Sequence, residues 1–166
     1  MDLIDEVLER YEEDLKRAEE GKCKKVSRSQ EFRDTFRKTY IEIYAAELDN
    51  VTSKLSDKNH VARVEERSPE EVFYGFTLTI VPRHLLRYPV DRYQPGSVLS
   101  SISFIANEHT LTVDIETFIR PNIEKEESHS IEKIPRDEFN RDLLMQKVLD
   151  FLGRVFEETI IIDFKR

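Results

Sequence analysis

A single cysteine, Cys23, in a chain of 166 residues leaves no partner for an internal disulfide and suits a reducing compartment. Its setting, GKCKKVSR, surrounds it with cations, and it reads as an incidental thiol in a basic connection. The four glycines, Gly21, Gly75, Gly96 and Gly153, are too scattered for a phosphate-cradling loop or a dinucleotide fingerprint. No G-x-S-x-G elbow is present, and His60, His84, His109 and His129 lie far apart in the chain. One cysteine with dispersed histidines cannot build a zinc site of the usual kind. ATP hydrolysis, Rossmann redox chemistry and zinc hydrolysis are therefore not expected, nor is any cofactor.

Long apolar runs are also missing: none approaches the about 18 residues of a membrane span. The opening MDLIDEVLERYEEDL is acidic where a secretory leader needs basic residues and then an apolar stretch, so a cytoplasmic protein with no membrane partner is expected. Basic charge is short as well. A net charge of −8 argues against broad nucleic-acid binding, which needs a basic footprint, though a local patch stays compatible with it.

What is present is a balance of 36% charged and 39% hydrophobic residues, the composition of a globular chain with a heavily charged surface. The length fits one domain, large enough to bury about 70% of the surface that the unfolded chain would expose. Ile4, Leu8, Tyr11, Leu15 and Ala18 recur at spacings of four and three, so residues 2–20 are expected to form a helix that Gly21 stops. A second helix is expected from Ser27 or Ser29 to about Leu55, burying Phe36, Tyr40, Ile41, Tyr44, Leu48, Val51 and Leu55. Its heptad-like spacing admits either an antiparallel pairing of the two helices or a homo-oligomer seam through residues 2–55.

Beyond Asp57 the period changes to two. A strand over 72–81 places Val72, Tyr74, Phe76, Leu78 and Ile80 on one face, and a weaker strand at 60–66 pairs with it through His60, Ala62 and Val64. A hairpin follows, with Asn107 and Glu108 as its tip, Phe104 opposite Leu111, and Ile102 opposite Val113. Only an even-numbered loop keeps apolar residues opposite apolar ones. Residues 121–134 read as an exposed connection, Pro135 as the first position of a helix to about Glu158, and TIIIDFKR as a final strand. The expectation is a single α+β domain over 1–166. Its antiparallel meander of four to five strands has its apolar face covered by two N-terminal helices and one C-terminal helix.

Two features could carry chemistry. In TLTVDIETF, Asp114 and Glu116 project from one strand face, where two carboxylates can share a hard cation. Over about six residues this resembles the first exonuclease motif of proofreading exonucleases and family B DNA polymerases. IIIDFK, with Asp163 and Lys165, is similar to the Asp-x-Lys element of restriction-endonuclease-like nucleases, for which Asp114 would be the partner acid. Together these resemblances imply a divalent-metal-dependent nuclease or phosphoesterase using Asp114, Glu116, Asp163 and Lys165. The bland reading of the acidic pair is the wet face of an ordinary strand.

The other feature is PRHLLRYPVDRYQPGS, residues 82–97. Arginine and tyrosine anchor interfaces through bidentate contacts and large area at low entropic cost. The leading expectation is a non-enzymatic interaction or assembly module in which Arg83, His84, Arg87, Tyr88, Arg92 and Tyr93 engage the acidic surface of a protein partner. The nuclease is the alternative.

Overall fold

The computed structural model of the chain describes residues 3–68, 70–86, 99–120 and 128–164. Helix comes first and without interruption: α1 (Leu3–Thr39), a π-turn (Tyr40–Tyr44) and α2 (Ala45–Asp57). The stop expected at Gly21 does not occur. An isolated glycine costs a helix about 1 kcal/mol, whereas termination needs a left-handed residue, and Gly21 does not have that backbone conformation. The stop is instead a Schellman motif after α2: Asn59 takes φ 65°, the His60 N–H donates to Leu55 O at 3.1 Å, and the Asn59 N–H donates to Ser56 O at 2.9 Å.

The π-turn has a reason in the sequence. The core-facing residues of this helix, Phe32, Phe36, Tyr40, Tyr44 and Leu48, are all buried and recur every fourth residue. With 3.6 residues per turn, each four-residue step rotates an α-helix face by about 40°, so Leu48 would drift far around from Phe32. The extra residue in one turn, marked by the Ala45 N–H donating to Tyr40 O, takes up that drift and keeps all five on the sheet. Ile41, expected in the core, falls on the outer side and is 57% exposed.

Five antiparallel strands follow in the order β1 (Val61–Glu66), β2 (Gly75–Val81), β3 (Ser100–Asn107), β4 (Thr112–Ile119) and β5 (Ser128–Pro135). Phe76, Leu78 and Ile80 of β2, Ile102, Phe104 and Ala106 of β3, and Val113, Ile115 and Ile119 of β4 share one face and one hydrophobic cluster with the helices. Ala62 and Val64 of β1 sit opposite Ile80 and Leu78, the shared face that the alternation implied. An aromatic group fastens helix to sheet: the Phe76 ring lies 4.5 Å from Tyr40, 5.8 Å from Phe36 and 5.3 Å from Phe104.

The β3–β4 hairpin keeps the expected parity but not the expected register. Asn107 pairs with Thr112, so the loop has four residues, Phe104 faces Ile115 and Ala106 faces Val113. Asn107 makes the longer loop: its Oδ1 accepts the His109 and Thr110 N–H groups at 3.1 and 3.3 Å, and Leu111 closes it at φ 54°.

Three expectations near the C-terminus are overturned. Part of the supposed connection, Ser128–Pro135, is β5, a polar edge strand held by backbone pairing to β4, with Ile134 packed on the core. Pro135 ends this strand rather than opening a helix. Asn140 does the capping, its Oδ1 accepting the Leu143 N–H at 2.9 Å at the start of α3 (Arg141–Phe164). The final strand is absent because α3 runs through it. Leu144, Val148, Phe151, Val155 and Thr159 form one buried helical face, and no Gly or Pro after Gly153 breaks it. The molecule is of mixed α+β class, with a five-stranded antiparallel sheet, a long N-terminal helical region and a C-terminal helix.

Candidate functional site

Asp114 and Glu116 do project from one face of β4, the face turned away from the helices. Asp114 accepts hydrogen bonds from Asn107 Nδ2 at 2.9 Å and the Thr112 hydroxyl at 2.7 Å, with Lys133 Nζ 4.0 Å away. Glu116 meets His129 Nε2 at 3.0 Å, and that ring stacks on Phe118 at 4.1 Å. Both Asp114 oxygens and Oε1 of Glu116 are thus engaged by groups from β3, β4 and β5. Asp163 lies on α3, not on a strand, and Lys165 lies outside the described residues. The strand geometry behind the Asp-x-Lys resemblance is therefore absent. Among the described residues no group of three or more His, Cys, Asp or Glu comes together as a metal site.

Of the 82–97 segment, the structure describes Pro82–Leu86, with Arg83–Leu85 in a short 3-10 turn; Arg87, Tyr88, Arg92 and Tyr93 lie outside the described residues. The segment is anchored at its root, where the Arg83 N–H donates to His60 Nδ1 at 3.0 Å and the His60 ring lies 4.9 Å from Phe156. Burial, with help from the Arg83 and His84 charges, lowers the His60 pKa. Arg83 is exposed and has no ion pair among the described residues, whereas His84 is half-buried with its Nε2 unpartnered among them.

Tyr74 donates to Glu66 at 3.0 Å, and its pKa is pushed far up by burial and by that carboxylate. Burial likewise raises Tyr40 and Tyr44, Glu66 and Asp49 adding to the effect at Tyr40. Beside Tyr44 a cleft of about 310 Å³ opens between α1 and the β5–α3 connection, walled by Phe32, Phe36 and Phe139 and edged by Glu31, Arg136 and Asp137. Its volume is at the bottom of the range for small-molecule sites.

The largest irregularity is in α1. Ser29 Oγ donates to Glu108 O at 3.2 Å and Arg33 pairs with Glu108 at 3.4 Å, so α1 meets the sheet at the tip of the β3–β4 hairpin. N-terminal to that point every described side chain from Leu3 to Arg28 is exposed. Six of them are large and apolar, from Leu15 at 45% to Leu3 at 78%, with Ile4, Val7, Leu8 and Tyr11 between. At about 100° per residue, these six fall within one arc of about 140°, centred on the face that packs Phe36 and Tyr40 against the sheet further along. The helix keeps its core-facing stripe after it has left the core.

No family model, no curated protein and no solved structure matches the chain. Among the described residues no helix is long and apolar enough to cross a membrane. The periodicity of Ile4, Leu8, Tyr11 and Leu15 pointed to a buried helix face, but Leu3 and Val7, which widen the stripe, went unnoticed. Lys22, standing where the next apolar residue would fall, was the available signal that the stripe ends before the sheet begins.

Proposed function

We propose that the chain is a non-enzymatic, intracellular interaction or assembly module whose main recognition element is the N-terminal half of α1. The observation that carries this reading is the set of six large apolar side chains exposed along one face of a helix that extends past its own sheet. Leaving such a face in water costs about 25 cal/mol per Å² of apolar surface, and covering it is the driving force for docking. The engagement of Asp114 with Asn107 and Thr112 and of Glu116 with His129 supports this reading over hydrolysis.

A photo-crosslinking residue placed at Leu8 or Leu15, with Glu13 on the opposite face as control, tests the reading in cells. The same partner sequence, identified from both stripe positions and absent from position 13, is the expected result. Equal labelling from both faces, or none from either, would refute it.

The 82–97 segment is a second contact in this proposal, directed at an acidic protein surface. What supports it is Arg83, exposed and unpaired among the described residues at the root of the segment. Replacing Arg83, Arg87 and Arg92 together by glutamine is expected to weaken that contact; unchanged affinity would remove it.

A further inference from the structure

The chemistry of the partner follows from the charges beside the stripe, on the reading that the stripe is a docking site. Measured from the line through Ile4, Leu8, Tyr11, Leu15 and Ala18, Asp5, Glu12 and Glu19 lie about 60° to 100° to one side, and Asp14 lies about 80° to the other, between Leu3 and Val7. All four are exposed, and none has an ion pair among the described residues. The cations of this half, Arg10, Lys16 and Arg17, lie farther out, about 120° to 140° from that line, with Arg10 next to Leu3 and Arg17 4.0 Å from Glu13. The apolar stripe therefore runs between acidic rails.

A second copy of the chain fits this surface badly in either direction. In a parallel pair the two flanks face each other across the seam, bringing Glu19 of one copy beside Asp14 of the other. In an antiparallel pair like flanks meet, so Glu12 faces Glu12, Asp5 faces Glu19 and Asp14 faces Asp14. Like charges at these positions select against pairing, and Arg10, the cation next to Leu3, lies outside these pairings. Sliding an antiparallel copy until its basic residues 22–28 reach the acidic rails does not help, because Lys22 then sits on the apolar centre line.

We infer that the stripe takes a different chain: an amphipathic helix whose apolar face is flanked by lysine or arginine. Leu3 to Ala18 spans about 22 Å, so the partner helix needs about four turns of matching apolar face. Its basic flanks lie against Asp5, Glu12 and Glu19 on one side and Asp14 on the other. The same acidic rails disfavour an anionic bilayer, which selects helices with cations bordering the apolar face.

The test uses the full chain and two labelled 21-residue helical peptides, each with leucine along its apolar face. One has lysine at every flanking position and the other has glutamate. Light scattering measures self-association in parallel. The expected results are a monomeric chain and binding of the lysine peptide at least tenfold tighter than the glutamate peptide. Leu8→Asp should lower that binding at least tenfold although it makes the chain more acidic, which separates docking from charge attraction. Glu12→Lys with Glu19→Lys should reverse the peptide preference. Equal affinity for both peptides, or a dimer that Leu8→Asp dissociates, would overturn the basic-partner inference and leave the stripe a docking site. A monomer that binds neither peptide, or binds the lysine peptide unchanged after Leu8→Asp, would overturn the inference and the docking reading beneath it.

Discussion

Gly75→Ala should destabilise the fold, and the reason is a backbone rather than a side chain. A Cβ at Gly75 would lie 2.7 Å from the Phe104 carbonyl oxygen, 3.2 Å from Ile105 Cα and 3.3 Å from Arg67 Cδ. The arginine stem can swing away, but the other two atoms belong to β3 and cannot. Gly75 pairs with Ile105 and Phe76 with Phe104, while the Ala106 N–H donates to Tyr74 O at 2.8 Å. Moving β3 outward stretches this pairing and lifts the fully buried Phe104 from Phe76, 5.3 Å away. Overpacking of this kind costs about 1–3 kcal/mol, and the stiffening of the unfolded chain by alanine returns about 0.4–1 kcal/mol. The net loss should be about 1–2 kcal/mol, or a fall in Tm of about 2–8 °C for a chain of this size. Urea unfolding followed by far-UV circular dichroism should show a lower midpoint with an unchanged slope. Gly153→Ala, in α3 with nothing within 4 Å of its Cβ, is the control and should not destabilise. A Gly75→Ala protein as stable as the parent would mean that β2 and β3 do not approach as described.

Gly21→Ala tests the unbroken course of α1: it should raise the helical signal and slow amide exchange over residues 15–25 while leaving the unfolding midpoint unmoved, because this half of the helix touches no core. Lower helicity would place Gly21 at a helix end after all. Leu8→Asp should leave stability within about 0.5 kcal/mol, whereas Leu48→Ala, fully buried on the same continuous helix, should cost about 2–5 kcal/mol by denaturant titration. Tyr40, Tyr44 and Tyr74 have raised pKa values, so they keep their protons in the folded chain while the unfolded chain ionises near pH 10. Stability is unaffected by them below that pH and should fall as pH rises above it, with tyrosinate absorbance at 295 nm from these three appearing together with unfolding. His60 has the opposite sense: its lowered pKa makes the unfolded chain bind protons first, so its contribution is complete above pH 6.5 and is lost as pH falls below it. Nuclear magnetic resonance should show His60 titrating below 6.5 as its bond from the Arg83 N–H breaks; titration at or above 6.5 would contradict the buried acceptor role.

The sheet was legible because alternation in its central strands is a direct image of burial. Phe76, Leu78 and Ile80 against Thr77 and Thr79 admit one assignment, and parity alone fixed which residues of 100–119 share a face. What parity could not supply was loop length, which depends on one side chain, Asn107, accepting two backbone N–H groups. At the C-terminus, propensity and context disagreed. Three consecutive isoleucines favour a strand in isolation, but α3 had already begun at the Asn140 cap and met no breaker, and a helix in progress adds a residue more cheaply than a new strand starts. β5 was hidden for the opposite reason: its residues are polar because it is an edge, and backbone pairing to β4 rather than hydrophobicity holds it in place.

The exposed stripe of α1 was visible as a pattern but not as an uncovered face, because periodicity says which side of a helix is apolar and nothing about what covers it. Two lengths decide that question. A helix continuous from Leu3 to Asp57 is about 80 Å long, while strands of six to eight residues reach only about 20–27 Å. Such a helix must overhang such a sheet, and the end that overhangs is the one whose apolar residues are bordered by Asp5, Glu12, Asp14 and Glu19 instead of continuing into Phe32, Phe36 and Tyr40. Stopping the first helix at Gly21 let the stripe fold back onto the second helix and removed the overhang. Without that stop, the face lined by Ile4, Leu8, Tyr11, Leu15 and Ala18 has no covering residue of its own chain among those described, which is why the choice between a second copy and a basic partner rests on the charges at its edges.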